Sequence, residues 1–248
     1  MQKSAKPVHP PSAPADIPSW RRLYQAYLFD LDGTLIDTAP DLHVALNHTL
    51  RSHNYPEVSL AHTRHWIGHG GRAMVAEALK HHHKAAQGNQ FPASNLDERL
   101  DEMMEVFLTY YEQHASDQSE VYPGVIETLD QLQALGAKLA VVTNKITRFT
   151  LPILENLGLA ARLDAIVCGD TAERPKPDAA PVLYCLDALQ TGASNALFVG
   201  DSLTDVTAAN AAAVTVVCVR DGYNHGADVT ELPLAGVIDH FSELLPPT

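Results

Sequence analysis

Short, almost wholly apolar runs alternate with longer segments whose apolar positions recur every three or four residues, and these two habits divide the chain. The runs Ala26 to Phe29, Leu139 to Val142, Ala165 to Cys168, Ala196 to Val199 and Val214 to Val219 lack the polar alternation of a half-solvated strand. They predict strands covered on both faces. From Pro123 onward, segments of helical length separate them: one with Pro123 near its start and Gly136 near its end, one closed near Gly158, one from about Asp178 and one from Leu203. This alternation predicts an α/β fold with a doubly wound parallel, Rossmann-like sheet, because right-handed crossovers carry helices to both faces.

A different habit fills about Asp37 to Ser119. Leu42, Ala45, Leu46, Thr49 and Leu50 follow the i, i+3, i+4, i+7, i+8 spacing of a helix face, and Met103, Met104, Phe107, Leu108 and Tyr111 repeat it. The expected organisation is a helical cap at 38–119, inserted into an α/β core of 23–37 and 120–248. A cap inserted straight after the first strand should sit over the strand ends. Residues 1–22 are proline-rich without apolar periodicity, which predicts an extended or disordered leader outside the core.

The run Asp30-Leu31-Asp32-Gly33-Thr34 closes the first apolar stretch. Side chains at i and i+2 leave a strand on the same side, so Asp30 and Asp32 can converge on one substrate, with the backbone N–H of Leu31 facing it. Gly33 lets the backbone turn closely past a ligand. Such a carboxylate pair can divide nucleophile and acid/base work; the plain alternative is a solvated turn, since Asp-Gly ends many strands. Three more polar groups follow apolar runs of their own: Thr143-Asn144-Lys145, Arg174-Pro175-Lys176-Pro177, and Gly200-Asp201-Ser202 with Asp205 beyond. Ligands of open parallel sheets bind outside the carboxyl ends of the strands, so all of these groups are expected at one sheet edge.

Composition narrows the partners. The 248 residues, 46% of them hydrophobic, could build one large or two modest domains. A net charge of −13, from 30 acidic and 17 basic residues, repels nucleic acid and anionic membrane surfaces. An anionic substrate therefore needs local compensation by a metal or a lysine. No apolar run reaches membrane-spanning length, and the first 22 residues lack the hydrophobic stretch of a secretory signal. A cytoplasmic monomer or homodimer with no nucleic-acid or membrane partner is expected. Cys168, Cys185 and Cys218 are odd in number and set in apolar contexts, which predicts buried reduced thiols rather than a disulfide or a zinc site. His81, His82 and His83 are consecutive on a predicted helix, so they point apart and predict a solvated surface rather than a chelate.

Over about Tyr27 to Pro246, these residues resemble the haloacid dehalogenase superfamily of phosphatases, whose four motifs occur in this order. Phe29 to Thr38, Ile67-Gly68-His69-Gly70-Gly71, Val141 to Lys145, Phe198 to Ser202 and Gly222-Tyr223-Asn224-His225-Gly226 are similar to the phosphoglycolate phosphatases within it. The resemblance implies that Asp30 attacks phosphorus to form an aspartyl-phosphate, and that Asp32 protonates the leaving alkoxide and then activates water. It implies Mg2+ bound by the Asp30 carboxylate, the backbone carbonyl of Asp32, and Asp201, an oxygen set suited to that ion. Asp205 completes the metal group by positioning Lys176 or a metal-bound water rather than by ligating directly.

Thr143 and the backbone N–H of Asn144 would hold phosphate oxygens at a helix N-terminus, with Ser202 near the same phosphate. Lys176 would add positive charge between phosphate and Asp30. In isolation these residues would be ordinary helix caps and a solvated loop charge. His69, Gly70 and Arg72 of the cap could meet the non-phosphate end of the substrate, Arg72 pairing with a carboxylate, or could instead face solvent. Lys145 could help bind phosphate or carboxylate, whereas Arg148 reads as a solvated face. The implied substrate is a small phosphorylated metabolite, foremost 2-phosphoglycolate. Relatives acting on a phosphosugar or a sugar acid phosphate, and phosphomutases, share much of the pattern.

Overall fold

The computed structural model describes residues 18–85 and 96–247. Strand β1 (Ala26–Phe29) leads through β2 (Ile36–Asp37) into helices α1 (Ala39–Ser52), α2 (Leu60–Trp66), α3 (Gly71–Ala85) and α4 (Leu96–His114), and back through β3 (Glu120–Val121). Then follow α5 (Val125–Ala134), β4 (Lys138–Val142), α6 (Thr147–Asn156), β5 (Ala165–Val167), α7 (Ala180–Ala188), β6 (Ala196–Gly200), α8 (Leu203–Ala211), β7 (Thr215–Val219) and β8 (Gly236–Ile238).

Six of these strands form one sheet in the order β5-β4-β1-β6-β7-β8, and every pairing in it is parallel. The chain steps from β1 outward through β4 and β5, then crosses back to β6 on the other side of β1. That reversal leaves a crevice at the carboxyl end of β1, where open α/β sheets place their ligands. Successive strand residues serve opposite faces. Tyr27, Phe29, Leu139, Val141 and Val199 join one core with α5, α6 and the inserted helices. Leu28, Ala140, Val142, Phe198 and Cys218 join a second core with α7 and α8. The apolar character of the strands follows from this double burial.

The helices α1 to α4 are inserted between β1/β2 and β3, as the pattern predicts. Leu42, Ala45, Leu46, Thr49 and Leu50 are buried in α1, and Met103, Phe107 and Tyr111 in α4. The two crossings between insert and sheet are joined by the antiparallel β2–β3 ribbon, two residues on each side. Beside it, one oxygen of the buried Asp41 carboxylate accepts from the Ser119 N–H at 2.8 Å and the Ser119 hydroxyl at 2.6 Å. The β2–β3 ribbon escapes a sequence reading because strands of two residues carry no period.

Several expectations need correction. The leader expected at 1–22 falls largely outside the described residues, but Trp20 within it is 6% exposed and its indole packs on Gly236. His82 is buried beside Tyr55, ring centroids 5.7 Å apart, rather than solvated, because α3 turns that residue inward; His81 instead stands 4.5 Å from His62. The three cysteines are free and buried, as expected. No helix among the described residues is long and apolar enough to cross a membrane.

Candidate active site

Asp30 is the first residue past β1, and its N–H donates to Val199 O at 2.9 Å, carrying the β1–β6 ladder one rung beyond the strand. The carbonyl of the next residue, Leu31, accepts from the N–H groups of Thr34, Leu35 and Ile36, which folds the loop back into β2. Leu31 is itself fully buried beneath the loop. Gly33 adopts φ +85°, and a Cβ there would lie 2.4 Å from Asp201 Oδ2. A glycine here admits a carboxylate of the protein, because only glycine combines that φ with that space.

The register of the central strands brings the predicted groups together. Lys176 Nζ lies 2.8 Å from Asp30 Oδ1 and 2.6 Å from Asp205 Oδ1. Asp30, Asp201 and Asp205 offer oxygens within 4.8 Å of one another, a cluster that could hold a metal ion. Asp201 Oδ1 accepts from the Thr34 hydroxyl at 3.2 Å and Oδ2 from the Tyr223 N–H at 2.5 Å. The second oxygen of Asp205 accepts from the Ser202 hydroxyl at 2.7 Å and the N–H groups of Ser202 and Asp201. Ser202 therefore caps α8 and braces Asp205, and both Asp205 oxygens are occupied by protein donors.

The electrostatics separate the three carboxylates. Burial pushes the Asp30 carboxyl up to about 7, with Lys176 pulling the other way. Asp201 is raised well above the ordinary carboxylate range by burial and by the charges of Asp205 and Asp30. Asp205 is also penalised by burial, but the Lys176 ammonium more than offsets this and holds it low. Lys176 stays charged, since Asp205 and Asp30 outweigh its own burial. Three buried carboxylates against one ammonium leave excess negative charge on oxygen donors alone, which suits a hard divalent cation.

Motif residues after β4 act partly on other protein groups. Asn144 is expected to offer its N–H at a helix N-terminus, but α6 starts only at Thr147. Its side-chain amide instead donates to Lys176 O at 2.9 Å and accepts from Lys176 N at 2.9 Å, which sets the backbone that aims Lys176. The same amide reaches Gly68 O of the insert at 3.2 Å. Thr143 is buried, and its hydroxyl accepts from the Lys145 N–H at 3.1 Å. Gly169 is the unforeseen counterpart, since a Cβ there would stand 2.3 Å from Asn144 O.

Asp32 and Lys145 meet directly. Lys145 Nζ lies 3.0 Å from Asp32 Oδ1 and donates to the Tyr111 hydroxyl at 3.0 Å; Asp32 Oδ1 also accepts from the Thr38 hydroxyl at 2.5 Å. A cavity of about 320 Å³ lies between sheet edge and insert, lined by Asp30, Asp32, Thr143, Lys145 and Lys176 below and by Gly70 and Met104 among others above. His69 and Arg72 also border it. The Arg72 guanidinium is paired with Asp101 on α4, and the His69 ring stacks on His225 at 4.8 Å. Arg148 pairs with Glu112 on the surface. Tyr111 and Tyr223, which the sequence reading missed as site residues, lay in a helix pattern and in the Gly222–Gly226 block respectively.

Known proteins match this arrangement. A haloacid dehalogenase-like hydrolase family model matches residues 27–219. A phosphoglycolate phosphatase of Pseudomonas savastanoi pv. phaseolicola is 40% identical over 226 residues, 91% of this chain and 80% of the relative. One from Agrobacterium fabrum is 38% identical over 226 residues, 91% of this chain and 93% of the relative. The crystal structure of a predicted phosphoglycolate phosphatase from Haemophilus somnus 129pt superposes with a TM-score of 0.83 at 31% identity, covering 90% of this chain and 97% of that one. The family match runs from β1 through β7, across the strand ends that carry Asp30, Thr143 and Asp201, and the chain belongs to the haloacid dehalogenase-like hydrolases.

Proposed function

We propose that the protein is a Mg2+-dependent phosphomonoester hydrolase whose substrate is 2-phosphoglycolate, converted to glycolate and phosphate. The carrying observation is the Asp30–Lys176–Asp205 ion-pair chain beside Asp201, with Asp30 and Asp32 lining one cavity. Relatives named phosphoglycolate phosphatase, 36–40% identical over most of the chain, support the substrate.

Asp30, with Oδ1 turned inward to Lys176, uses its other oxygen to bond phosphorus as the bond from phosphorus to the ester oxygen breaks. Asp32 delivers its proton to that oxygen, releasing the alcohol. A water then gives a proton to Asp32 and bonds phosphorus through its oxygen, and the bond between phosphorus and Asp30 breaks. Mg2+, held by Asp30, Asp201 and the Asp32 carbonyl, would neutralise charge on the phosphate oxygens. Lys176 supplies a fixed ammonium to the same crowded charge, and Asp205 positions it. Thr143 and the N–H of Asn144 border the phosphate, and the loop of Gly68 to Gly71, with His69 and Gly70, closes over the remainder of the substrate. Residues 38–119 act as the cap, hinged at the β2–β3 ribbon, and closure excludes water from the reaction.

The test is phosphate release from 2-phosphoglycolate, phosphosugars and a sugar acid phosphate, with Asp30→Asn as control. A kcat/KM for 2-phosphoglycolate at least ~10-fold above the others is expected for a dedicated enzyme. Equal turnover of all esters would reject the substrate, isomer formation without phosphate release would replace hydrolase by mutase, and full activity in D30N would remove Asp30 as nucleophile.

A further inference from the structure

Lys145 Nζ stands 3.0 Å from Asp32 Oδ1 and donates to Tyr111 at 3.0 Å, and its side chain is 7% exposed. No substrate group is needed to explain its ammonium, although the sequence pattern offers Lys145 as a phosphate or carboxylate ligand. The geometry gives it another task. Asp32 Oδ1 takes the Thr38 hydroxyl at 2.5 Å as well as the Lys145 ammonium. An oxygen holding two donors, one of them charged, is the poorer seat for a proton. The second oxygen, Oδ2, accepts none of the hydrogen bonds among the described residues, and Asp32 borders the cavity. Turning the carboxyl over with its proton on Oδ2 would set the protonated oxygen against both donors.

Tyr111 ties this arrangement to the cap. It lies on α4, 1% exposed, with its ring edge-on to Phe149 of α6 at 5.2 Å. A cap that swings away takes the Tyr111 hydroxyl with it, and Lys145 then loses one of the two partners that hold its ammonium over Asp32. Burial alone would disfavour the ammonium, but Asp32 and Tyr111 outweigh it and keep it charged.

We propose that Lys145, braced by Tyr111 from the cap, is the positioning residue that presents Asp32 Oδ2 to the leaving group. The proposal rests on the reading of Asp32 as the proton donor. A misplaced acid matters in proportion to how badly the leaving oxygen needs a proton, so the readout is the dependence of kcat/KM on leaving-group acidity. That parameter covers the steps up to the aspartyl-phosphate, where alone the leaving group differs. Substituted phenyl phosphates, from phenyl to p-nitrophenyl, vary the leaving group without adding a carboxylate that Lys145 could bind.

In the Mg2+-loaded enzyme, K145M is expected to lose ~10-fold or more extra kcat/KM on phenyl phosphate relative to p-nitrophenyl phosphate, steepening the wild-type dependence. Y111F, which keeps the packed ring, should steepen it in the same direction by a smaller factor. If K145M does not fold, K145Q and Y111F carry the test. An equal loss across the series, or a KM rise with kcat kept, would overturn the proposal and return Lys145 to substrate binding. D32N separates the two readings. A dependence as shallow as wild type in D32N rejects Asp32 as the acid, whereas a steep one in D32N with a shallow one in K145M and Y111F rejects this proposal alone.

Discussion

Lys176 Nζ lies 2.6 Å from Asp205 Oδ1, with both side chains at most 1% exposed. The same ammonium also neutralises Asp30, so one buried cation serves two carboxylates. Lys176→Met removes it and leaves both acids buried without a counter-charge. Breaking a buried pair in this way costs about 3–5 kcal/mol. K176M is expected to unfold at markedly lower urea and to lose at least ~100-fold in kcat, since a preorganised charge at the reacting phosphate goes with it. Chemical denaturation and steady-state kinetics of the same preparation check both.

The second prediction concerns the metal-free protein and pH. The Asp30 carboxyl sits at about 7 in the folded state, above its ordinary 3.8, chiefly through burial. A carboxyl raised on folding contributes stability that is fully present below its unfolded pKa and is lost as pH rises through the folded value. Between pH 4 and pH 8 that loss is on the order of 4 kcal/mol. Asp30→Asn carries no such charge. In excess EDTA, D30N should therefore melt above wild type at pH 8, with the gap shrinking toward pH 4. Melting scans at several pH values decide it; a gap that does not vary with pH would reject the assigned cause.

Most of this site was legible in the sequence where chemistry followed an apolar run. Asp30, Thr143 and Asp201 each end a strand whose double burial erases polar alternation, and the sheet order then sets those ends side by side. The helices α1 and α4 were legible from their spacing. Partners across the fold were not. Nothing local couples Lys145 to Asp32 or Tyr111, and Asn144 reads as a helix start until its amide is seen clamping Lys176. Arg72 invites a carboxylate ligand, and nothing local announces Asp101 beside it on α4. Such pairings depend on packing between distant segments, which periodicity does not encode.

Gly33 yields a metal-specific test. At φ +85°, a Cβ would stand 2.4 Å from Asp201 Oδ2, so Gly33→Ala must displace the very carboxylate proposed to hold Mg2+. The Mg2+ concentration giving half-maximal activity is expected to rise ~10-fold or more, the order seen when a metal ligand loses its support. Activity at saturating Mg2+ should recover in part. Titration of activity with Mg2+ checks this, and an unchanged midpoint would argue that Asp201 does not ligate.

Tyr223 joins that carboxylate to the β2–β3 ribbon, proposed above as the hinge, through two different atoms, which allows the roles to be separated. Its N–H holds Asp201 Oδ2 at 2.5 Å, while its hydroxyl donates to Asp37 Oδ1 and accepts from the Ala39 N–H at 3.0 Å. Asp37 ends β2 and also pairs with Arg64 of α2 at 2.6 Å. Tyr223→Phe deletes only the hydroxyl, leaving the Ala39 N–H and Asp37 Oδ1 with just their long 3.3 Å contact to each other in place of the shared hydroxyl, a loss of about 1–3 kcal/mol. Because the backbone contact to Asp201 survives, the Mg2+ midpoint of Y223F should match wild type. The hinge contacts are weakened instead, so KM for 2-phosphoglycolate should rise and limited proteolysis should cut faster near residues 37–39. A shifted Mg2+ midpoint with unchanged proteolysis would mean that the hydroxyl acts on the metal site and not on the hinge.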